Sequence, residues 1–305
     1  MIEQLHQRLE EAGFRSVIVS VKHLTGAKQE LTKLLEQGTL NKDFYDEITS
    51  RYGLHWHFEP PADFQTAKSV IITAIQQPKV SVRFRLAGTI YDVIIPPTYM
   101  HDADAKALST MAHYLKDKGY SVRDALLPEK LLAVHSGLAR YGRNNIAYID
   151  GWGSYVRLRA YFSDIPCTTD NWHEVQMMEL CQTCEACVKN CPPGAISKDR
   201  FLIRGEKCIT FYNEGDDKFP EWLVPSWHNC MIGCMICQDV CPANRKFTQW
   251  IVPGDEFSED ETAMILNGVP QDQLPRKTFE KLENLELIGG YDLLGRNLGV
   301  LVSKK

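Results

Sequence analysis

The stretches CQTCEACVKNCPP, at residues 181–193, and NCMIGCMICQDVCPAN, at residues 229–244, hold eight of the ten cysteines. The first stretch separates its cysteines by two, two and three residues and ends in proline, which is the spacing of bacterial ferredoxins. In such a run, three thiolates bind one 4Fe-4S cluster, and the fourth cysteine, which precedes the proline, binds a second cluster. The sequence therefore predicts two 4Fe-4S clusters and a role in moving single electrons.

The second stretch repeats the motif with one change. Cys234, Cys237 and Cys241 keep the spacing of two and three residues, but Cys230 lies three residues before Cys234, where two are expected. Because the last cysteine of each motif crosses to the other cluster, each cluster takes three ligands from one motif and one from the other. The predicted ligands of cluster one are Cys181, Cys184, Cys187 and Cys241. Those of cluster two are Cys191, Cys234, Cys237 and one further cysteine.

Cys208 and Cys230 compete for the last position on cluster two. We favour Cys208, because an isolated cysteine between the two motifs otherwise lacks a reason. Cys230 is then a buried thiol, and Cys167 is a small hydrophobic residue of the core. The alternative for the whole array is structural zinc, which usually uses separated CxxC pairs rather than a continuous CxxCxxCxxxCP run.

Length and composition indicate a soluble protein with one substantial domain and a smaller module. The chain has 305 residues, 44% of them hydrophobic, and a net charge of −5, which argues against nonspecific nucleic-acid binding by a strongly basic surface. No apolar run is long enough to cross a membrane, and the N-terminus lacks the pattern of a secretory signal. We expect a cytoplasmic protein with no membrane partner.

Hydrophobic periodicity predicts alternating helices and strands before the cysteine array and helices after it. Strands are predicted at 16–21, 69–75 and 89–95, and a hairpin of strands 146–150 and 154–162 around the turn 151–153. Helices are predicted at 102–118, 127–136, 260–267 and 276–285. The predicted domains are 1–163, 164–250, which holds the double 4Fe-4S module, and a helical segment, 251–305.

Three segments together resemble the epoxyqueuosine reductase family, corrinoid enzymes related to reductive dehalogenases. They are LPEKLLAVHSGLARYGRNN at 127–145, GSYVRLRAYFSDIP at 153–166, and the cysteine array with KCI at 207–209. The resemblance implies an α+β fold, with a nitroreductase-like cobalamin-binding domain followed by a bacterial ferredoxin-like double 4Fe-4S module. The family's lone cysteine between the motifs falls on Cys208.

The resemblance also implies cofactors, partners and further site residues. A cobalamin would bind without a histidine ligand to cobalt, and an external donor of flavodoxin or ferredoxin type would supply electrons at low potential. If the substrate is epoxyqueuosine, tRNA is a partner. The residues that match family positions beside the corrinoid are Gly137, Gly142, Arg143, Asn144, Asn145, Gly153, Ser154 and Tyr155.

The sequence departs from the family at the position of its catalytic aspartate. Six residues before Glu129, where the family has that aspartate, this chain has Arg123, and Asp124 follows one residue later. The loop tryptophan and lysine of the family are replaced by Tyr141 and Arg143. We take Asp124 as the candidate proton donor, with a helix cap or a solvated carboxylate as its structural alternative.

The function predicted from these features is a cobalamin-dependent iron-sulfur oxidoreductase that resembles epoxyqueuosine reductase. One alternative is a redox partner that reduces another corrinoid protein. The other is a two-cluster electron carrier whose large domain only docks partners.

Overall fold

The computed structural model describes residues 1–53, 56–100 and 102–303. Its internal contacts divide the chain into two compact units. Unit one consists of Met1–Gln76, His101–Glu185 and Lys198–Ile203; unit two consists of Gln77–Met100, Ala186–Ser197 and Arg204–Lys305. The domain boundaries at 163 and 250 stay a prediction.

The described residues form helices and strands in mixed order. The α-helices are α1 (Ile2–Glu11), α2 (His23–Glu36), α3 (Lys42–Tyr52), α4 (Asp102–Lys116), α5 (Glu129–His135), α6 (Ala186–Asn190), α7 (Ile209–Asn213), α8 (Ile236–Asp239), α9 (Glu259–Leu266), α10 (Arg276–Asn284) and α11 (Tyr291–Val302). The strands are β1 (Phe14–Ser20), β2 (Ser69–Gln76), β3 (Lys79–Leu86), β4 (Thr89–Ile95), β5 (Val122–Asp124), β6 (Arg140–Tyr141), β7 (Ala147–Tyr148), β8 (Val156–Ser163) and β9 (Ile251–Phe257). None of the described helices has the length and apolar character needed to cross a membrane.

Unit one is built on a four-stranded sheet in the order β1-β2-β8-β5, in which every neighbouring pair is antiparallel. The central strand β2 is covered on both faces, which explains its continuous apolar sequence SVIITAI. Val70, Ile72 and Ala74 point to one core cluster, and Ile71 points to the other. This alternation follows from the two-residue period of a strand.

Helices cover both faces of this sheet. On one face, α1 buries Leu5 and Leu9, and α4 buries residues spaced by four, among them Ala107 and Met111. The other face packs against α2 and α5. Residues four apart lie on the same side of a helix, so the sequence pattern alone was enough to identify α4.

The predicted hairpin around residues 151–153 is wrong. Strand β7 pairs with β6, whereas β8 pairs with β2 and β5. Gly153, with φ +66°, does close a tight turn through a bridge to Ile149. The turn was recognised, but the apolar strand β8 gains more burial in the centre of the sheet than beside a two-residue strand.

Unit two contains the three-stranded sheet β4-β3-β9, in which β3 pairs antiparallel with β4 and parallel with β9. The rings of Phe84 and Phe257 stack in its core at 4.9 Å. Segment 251–305 was predicted to be helical, and it begins with strand β9 instead. Its sequence IVPGDEF contains proline and glycine, which normally indicate a turn. Here Gly254 is required because a Cβ at this position would lie 2.8 Å from Val80.

The remaining predicted elements are confirmed with small changes of boundary. The three strands predicted at 16–21, 69–75 and 89–95 correspond to β1, β2 and β4. The four predicted helices correspond to α4, α5, α9 and α10. Helix α9 starts with a capping box between Ser258 and Glu261, a local signal that the sequence carries directly.

Candidate functional site: an iron-sulfur module and a cavity

The four cysteines predicted for cluster two, Cys191, Cys208, Cys234 and Cys237, all lie in unit two. The short helices α6 and α8 pack against each other, and each is followed by a cysteine and a proline, Cys191-Pro192 and Cys241-Pro242. Cys208 immediately precedes α7. The loops around these helices thus bring cysteines that are distant in sequence into one part of the unit.

Three of these thiols influence the pKa values of one another. Burial raises the pKa of Cys234 to about 11, a hydrogen bond from Asn229 opposes this rise, and the nearby Cys208 and Cys191 add to it. Burial also raises the pKa of Cys208, and Cys191 contributes to that shift. Because a bound metal deprotonates a coordinating thiol, such a group of buried thiols suits a metal cluster.

The surroundings of Cys230 differ from those of Cys208. Cys230 is 1% exposed, and its Sγ donates a hydrogen bond to Asn229 Oδ1 at 3.0 Å. Cys208 interacts electrostatically with both Cys191 and Cys234, whereas Cys230 interacts with Cys234 and Asp239. This arrangement supports Cys208 as the fourth ligand and Cys230 as a buried thiol, and the choice stays a prediction.

The predicted ligands of cluster one are divided between the two units. Cys181 and Cys184 belong to unit one, and Cys187 and Cys241 belong to unit two. In unit one, the backbone carbonyl of Cys181 accepts a hydrogen bond from Arg143 Nη2 at 2.5 Å. In unit two, Cys241 lines a small pocket of about 420 Å³.

Within the described ranges, no three or more His, Cys, Asp or Glu side chains are close enough to hold one metal ion. A cubane has a different requirement, since each of its four cysteines binds a different iron. Cys167 lies apart from the array, in unit one, half-buried against the core cluster that contains Leu5 and Tyr161. Its thiol donates weakly to the carbonyl of Thr169, which fits its predicted structural role.

The loop predicted to contact a corrinoid is packed tightly against its own strands. At Gly142, an added Cβ would lie 2.5 Å from both Asn144 Oδ1 and Tyr148 Cε2. Asn144 is buried, and its Nδ2 donates to the hydroxyl of Tyr148. Asn145 adopts φ +54°, a conformation that asparagine tolerates better than most residues. Its Oδ1 accepts from the backbone amide of Ile203.

Two donors of this loop remain available for a ligand. Among the residues that the structure describes, neither Asn145 Nδ2 nor Arg143 Nε has a hydrogen-bond partner, although both are buried. A buried donor without a partner costs about 1–3 kcal/mol, so two such donors only two residues apart are unusual in a finished core. The loop therefore fits a polar group such as a corrinoid side chain.

The other matched positions shape the backbone rather than expose polar atoms. Gly137 follows α5 with φ +77°, and its Cα faces the ring of His173. Gly153 forms the turn before β8, and Ser154 and Tyr155 are almost completely buried. Whether these residues lie beside a corrinoid stays a prediction.

Asp124 lines a cavity of about 920 Å³ in unit one. The wall is aromatic and charged, and it includes Trp56, Phe58, Lys28 and Arg159. Arg159 Nη2 donates to Asp124 Oδ2 at 2.7 Å, so the candidate proton donor is held at the wall as part of an ion pair. No capping hydrogen bond from Asp124 to a helix is recorded within the described part of the chain.

Arg123, at the position of the family's catalytic aspartate, points elsewhere. Its guanidinium pairs with Asp63 and lies 4.9 Å from the centre of the Phe64 ring. Neighbouring residues of a strand point to opposite faces, so Arg123 and Asp124 cannot exchange roles without a change of register.

Glu129 is a titratable residue whose environment the sequence did not predict. Burial raises the pKa of Glu129 to about 7, although Arg159 and Arg157 act in the opposite direction. Arg159 Nη1 lies 3.2 Å from Glu129 Oε1, and Asp104 pairs with Arg157. Three carboxyl groups therefore share two arginines. When Glu129 is protonated, the two remaining negative charges equal the two positive charges of the arginines. The signal in the sequence was the PEK motif that starts α5.

Comparison with known proteins identifies the cysteine array. Residues 180–244 match the family model described as a 4Fe-4S double cluster binding domain. The array is a double 4Fe-4S domain. The prediction of two clusters is confirmed. The zinc alternative is wrong, because a continuous CxxCxxCxxxCP run is the ligand spacing of 4Fe-4S clusters.

Part of the chain is similar in sequence to curated epoxyqueuosine reductases. The curated enzyme from Cyclobacterium marinum is 37% identical over 125 residues, which cover 41% of this chain and 39% of that protein. The enzyme from Atelocyanobacterium thalassa is 29% identical over 156 residues, or 49% of each chain. The aligned segments thus span less than half the length of these relatives.

Solved structures of epoxyqueuosine reductases share the fold over nearly the whole chain. The structures from Streptococcus thermophilus and Bacillus subtilis cover 99% of this chain, with TM-scores of 0.66 and 0.67 and sequence identities of 17% and 19%. This chain covers 81% of each of them. The predicted α+β fold with a double 4Fe-4S module is confirmed.

Proposed function

We propose that this protein is a cobalamin-dependent iron-sulfur oxidoreductase that acts on epoxyqueuosine or a close analogue. The observation that carries the proposal is the combination of a double 4Fe-4S domain with the fold of epoxyqueuosine reductases over 99% of the chain. A free-standing electron carrier needs no second unit with a cavity of 920 Å³.

The corrinoid would be held by the loop at residues 137–145 and the turn at 153–155. In this loop, Asn145 Nδ2 and Arg143 Nε are the spare donors. Arg143 also donates to the carbonyl of Cys181, so the loop is fixed to a predicted cluster ligand. When bound, a corrinoid supplies a cobalt centre that is reduced only at low potential, and 4Fe-4S clusters reach about −700 mV.

Asp124 is the residue of this chain best placed to deliver a proton into the cavity. It lines the wall beside Arg159, which holds its carboxylate in position. A positioned general acid usually contributes about 10² to 10⁴ in rate. To act as the acid, Asp124 must receive a proton before turnover, and Glu129 shares the same arginine.

The substrate we propose is epoxyqueuosine in tRNA. One solved structure of an epoxyqueuosine reductase contains an epoxyqueuosine-modified tRNA stem loop. In this chain, the cavity has a size typical of small-molecule sites, and Trp56 and Phe58 offer flat rings to a base. Lys28 and Arg159 add positive charge for the phosphate backbone or polar groups.

The electrons would come from a cytoplasmic donor of flavodoxin or ferredoxin type. Such a donor must reach a cluster from the surface. Cys241, a predicted ligand of cluster one, lines an open pocket together with Arg245, which is suited to an acidic carrier.

One observation favours a second candidate. Arg123 replaces the family's catalytic aspartate, and it is engaged with Asp63 rather than with the cavity. A protein that passes electrons to the corrinoid of another protein would need no proton donor. This redox partner function would keep the clusters and lack turnover of epoxyqueuosine.

The proposal is tested by reconstituting the protein with iron and sulfide without oxygen, adding cobalamin, and following visible and EPR spectra. We expect one bound cobalamin without coupling to a protein histidine nitrogen. A low-potential donor should then reduce cobalt in the native protein and fail to do so in a Cys184→Ala variant. Failure of the native protein to bind any corrinoid would exclude the proposal and favour a function in electron transfer alone.

A further inference from the structure

The side chain of Asn229 lies between the unused thiol and a predicted ligand of cluster two. Its Nδ2 donates to Cys234 Sγ at 3.2 Å, and its Oδ1 accepts from Cys230 Sγ at 3.0 Å. The same Oδ1 accepts from the backbone amide of Met235 at 2.8 Å. All four residues belong to unit two, in the segment that carries the second cysteine motif.

These contacts fix the orientation of the amide. A backbone N-H can only donate, so the atom that faces Met235 must be the amide oxygen. The thiol of Cys230 donates to the second lone pair of that oxygen. The NH₂ group is therefore directed to Cys234, and its other hydrogen reaches the carbonyl of Trp227 at 3.1 Å. A flipped amide would place two acceptors, Oδ1 and the sulfur, against each other.

We propose that Asn229 raises the reduction potential of cluster two by donating to the sulfur of Cys234, and that Cys230 holds the amide in place. Hydrogen bonds to cluster sulfurs tune the potential, because they stabilise the more negative, reduced cluster more than the oxidised one. Asn229 is thus a positioning residue with an electrochemical effect. This inference rests on the double-cluster assignment of the proposed function.

The proposal also explains the register of the second motif. Cys230 lies three residues before Cys234, one residue too far for the ligand spacing. With this extra residue, Asn229 contacts both Cys234 and Met235, and Cys230 donates to the amide oxygen of Asn229. The 1% exposure of Cys230 also agrees with a thiol that serves an internal hydrogen bond.

The experiment is an anaerobic redox titration of the cobalamin-free, cluster-loaded full chain, followed by EPR, after iron and sulfide contents are measured. In Asn229→Ala, we expect one cluster to become harder to reduce. At a fixed potential, its ratio of reduced to oxidised protein should fall about tenfold, which for a one-electron couple corresponds to 59 mV. The other cluster should keep its native potential.

The matched control is Asn190→Ala. Asn190 directly precedes Cys191, another predicted ligand of cluster two, but its Nδ2 donates to the carbonyl of Ala186 instead of a sulfur. Its removal should leave both potentials unchanged. A shift in Asn190→Ala as large as that in Asn229→Ala would overturn the proposal, because the effect would then not depend on the sulfur contact.

A second variant covers the case in which Asn229→Ala does not retain its clusters. Cys230→Ala should keep the full iron content and shift the same cluster to lower potential by a smaller amount, since Met235 still holds the amide oxygen. Native potentials in a fully loaded Cys230→Ala or Asn229→Ala protein would contradict the proposal. A native protein without two clusters would instead refute the double-cluster assignment.

Discussion

Arg159 binds Asp124 through an ion pair of 2.7 Å between Nη2 and Oδ2 at the wall of the cavity in unit one. The same guanidinium reaches Glu129 at 3.2 Å. The candidate proton donor is therefore held by an arginine of the neighbouring strand β8, and this arginine also pairs with a second carboxyl group.

Replacing Asp124 by asparagine should slow the proposed reaction by at least about a hundredfold, the lower range for loss of a general acid. Asparagine keeps the shape of the aspartate side chain but has no carboxyl proton to donate. The measurement is a single-turnover assay with reduced protein and epoxyqueuosine-containing RNA. The control is Asp63→Asn, which removes the partner of Arg123 outside the cavity wall. Equal rates in native protein and Asp124→Asn would exclude this role.

Glu129 should make stability depend on pH between about 4.5 and 7, because burial raises its pKa to about 7 in the folded protein. Below this window, the carboxyl is protonated in both the folded and the unfolded chain. Within the window, the unfolded chain loses the proton first, so the free energy of unfolding decreases as pH rises. The decrease is on the order of 3 kcal/mol.

A Glu129→Gln variant should lack this contribution. Thermal unfolding of both proteins between pH 5 and pH 8 is the measurement, and the loss of stability with rising pH should be smaller in the variant. Parallel pH profiles would show that the carboxyl group of Glu129 titrates near its ordinary pKa in the folded protein.

Cys184→Ala should remove the iron of one cluster, because each cubane needs all its thiolates. Cys230→Ala should keep the native iron content, since the thiol of Cys230 is occupied by Asn229. Iron and sulfide analysis after anaerobic reconstitution measures both. Loss of iron in Cys230→Ala would make Cys230 the ligand in place of Cys208.

Gly142→Ala should destabilise the protein by about 1–3 kcal/mol, the usual cost of overpacking a core. The new methyl group would lie 2.5 Å from Asn144 and Tyr148. Because Asn145 follows in the same loop, affinity for cobalamin should fall too.

Gly26→Ala is the control, since Gly26 lies in α2 with open space where a Cβ would be added. This variant should be more stable than the native protein by roughly 0.5–1 kcal/mol. Thermal unfolding and a visible titration with cobalamin measure these effects, and a Gly142→Ala protein that behaves like Gly26→Ala would contradict the description of this loop.

The features that the sequence predicted well depend on short-range spacing. The cysteine array could be recognised because cluster ligands must follow one another at fixed intervals, and helix α4 because its buried residues recur every four positions. The choice of Cys208 came from its isolation between motifs, and its electrostatic interactions with Cys191 and Cys234 support that choice.

The features that the sequence did not predict depend on contacts between distant segments. Strand β9 was not recognised because its Pro253 and Gly254 indicate a turn, and only its pairing with β3 makes Gly254 necessary. The raised pKa of Glu129 follows from burial and from Asp104 and Asp124 on other elements. The amide of Asn229 could be assigned only from three contacts that meet at one side chain.

The proposed function requires that this chain use its clusters and a corrinoid to reduce epoxyqueuosine. The most direct measurement is a single-turnover reaction of the fully reconstituted, reduced protein with an epoxyqueuosine-containing RNA stem loop, with the nucleoside analysed after digestion. We expect conversion to queuosine that requires both the clusters and cobalamin. No conversion by a protein whose cobalt is still reduced through its clusters would contradict this function, and the redox machinery would then act on a different target.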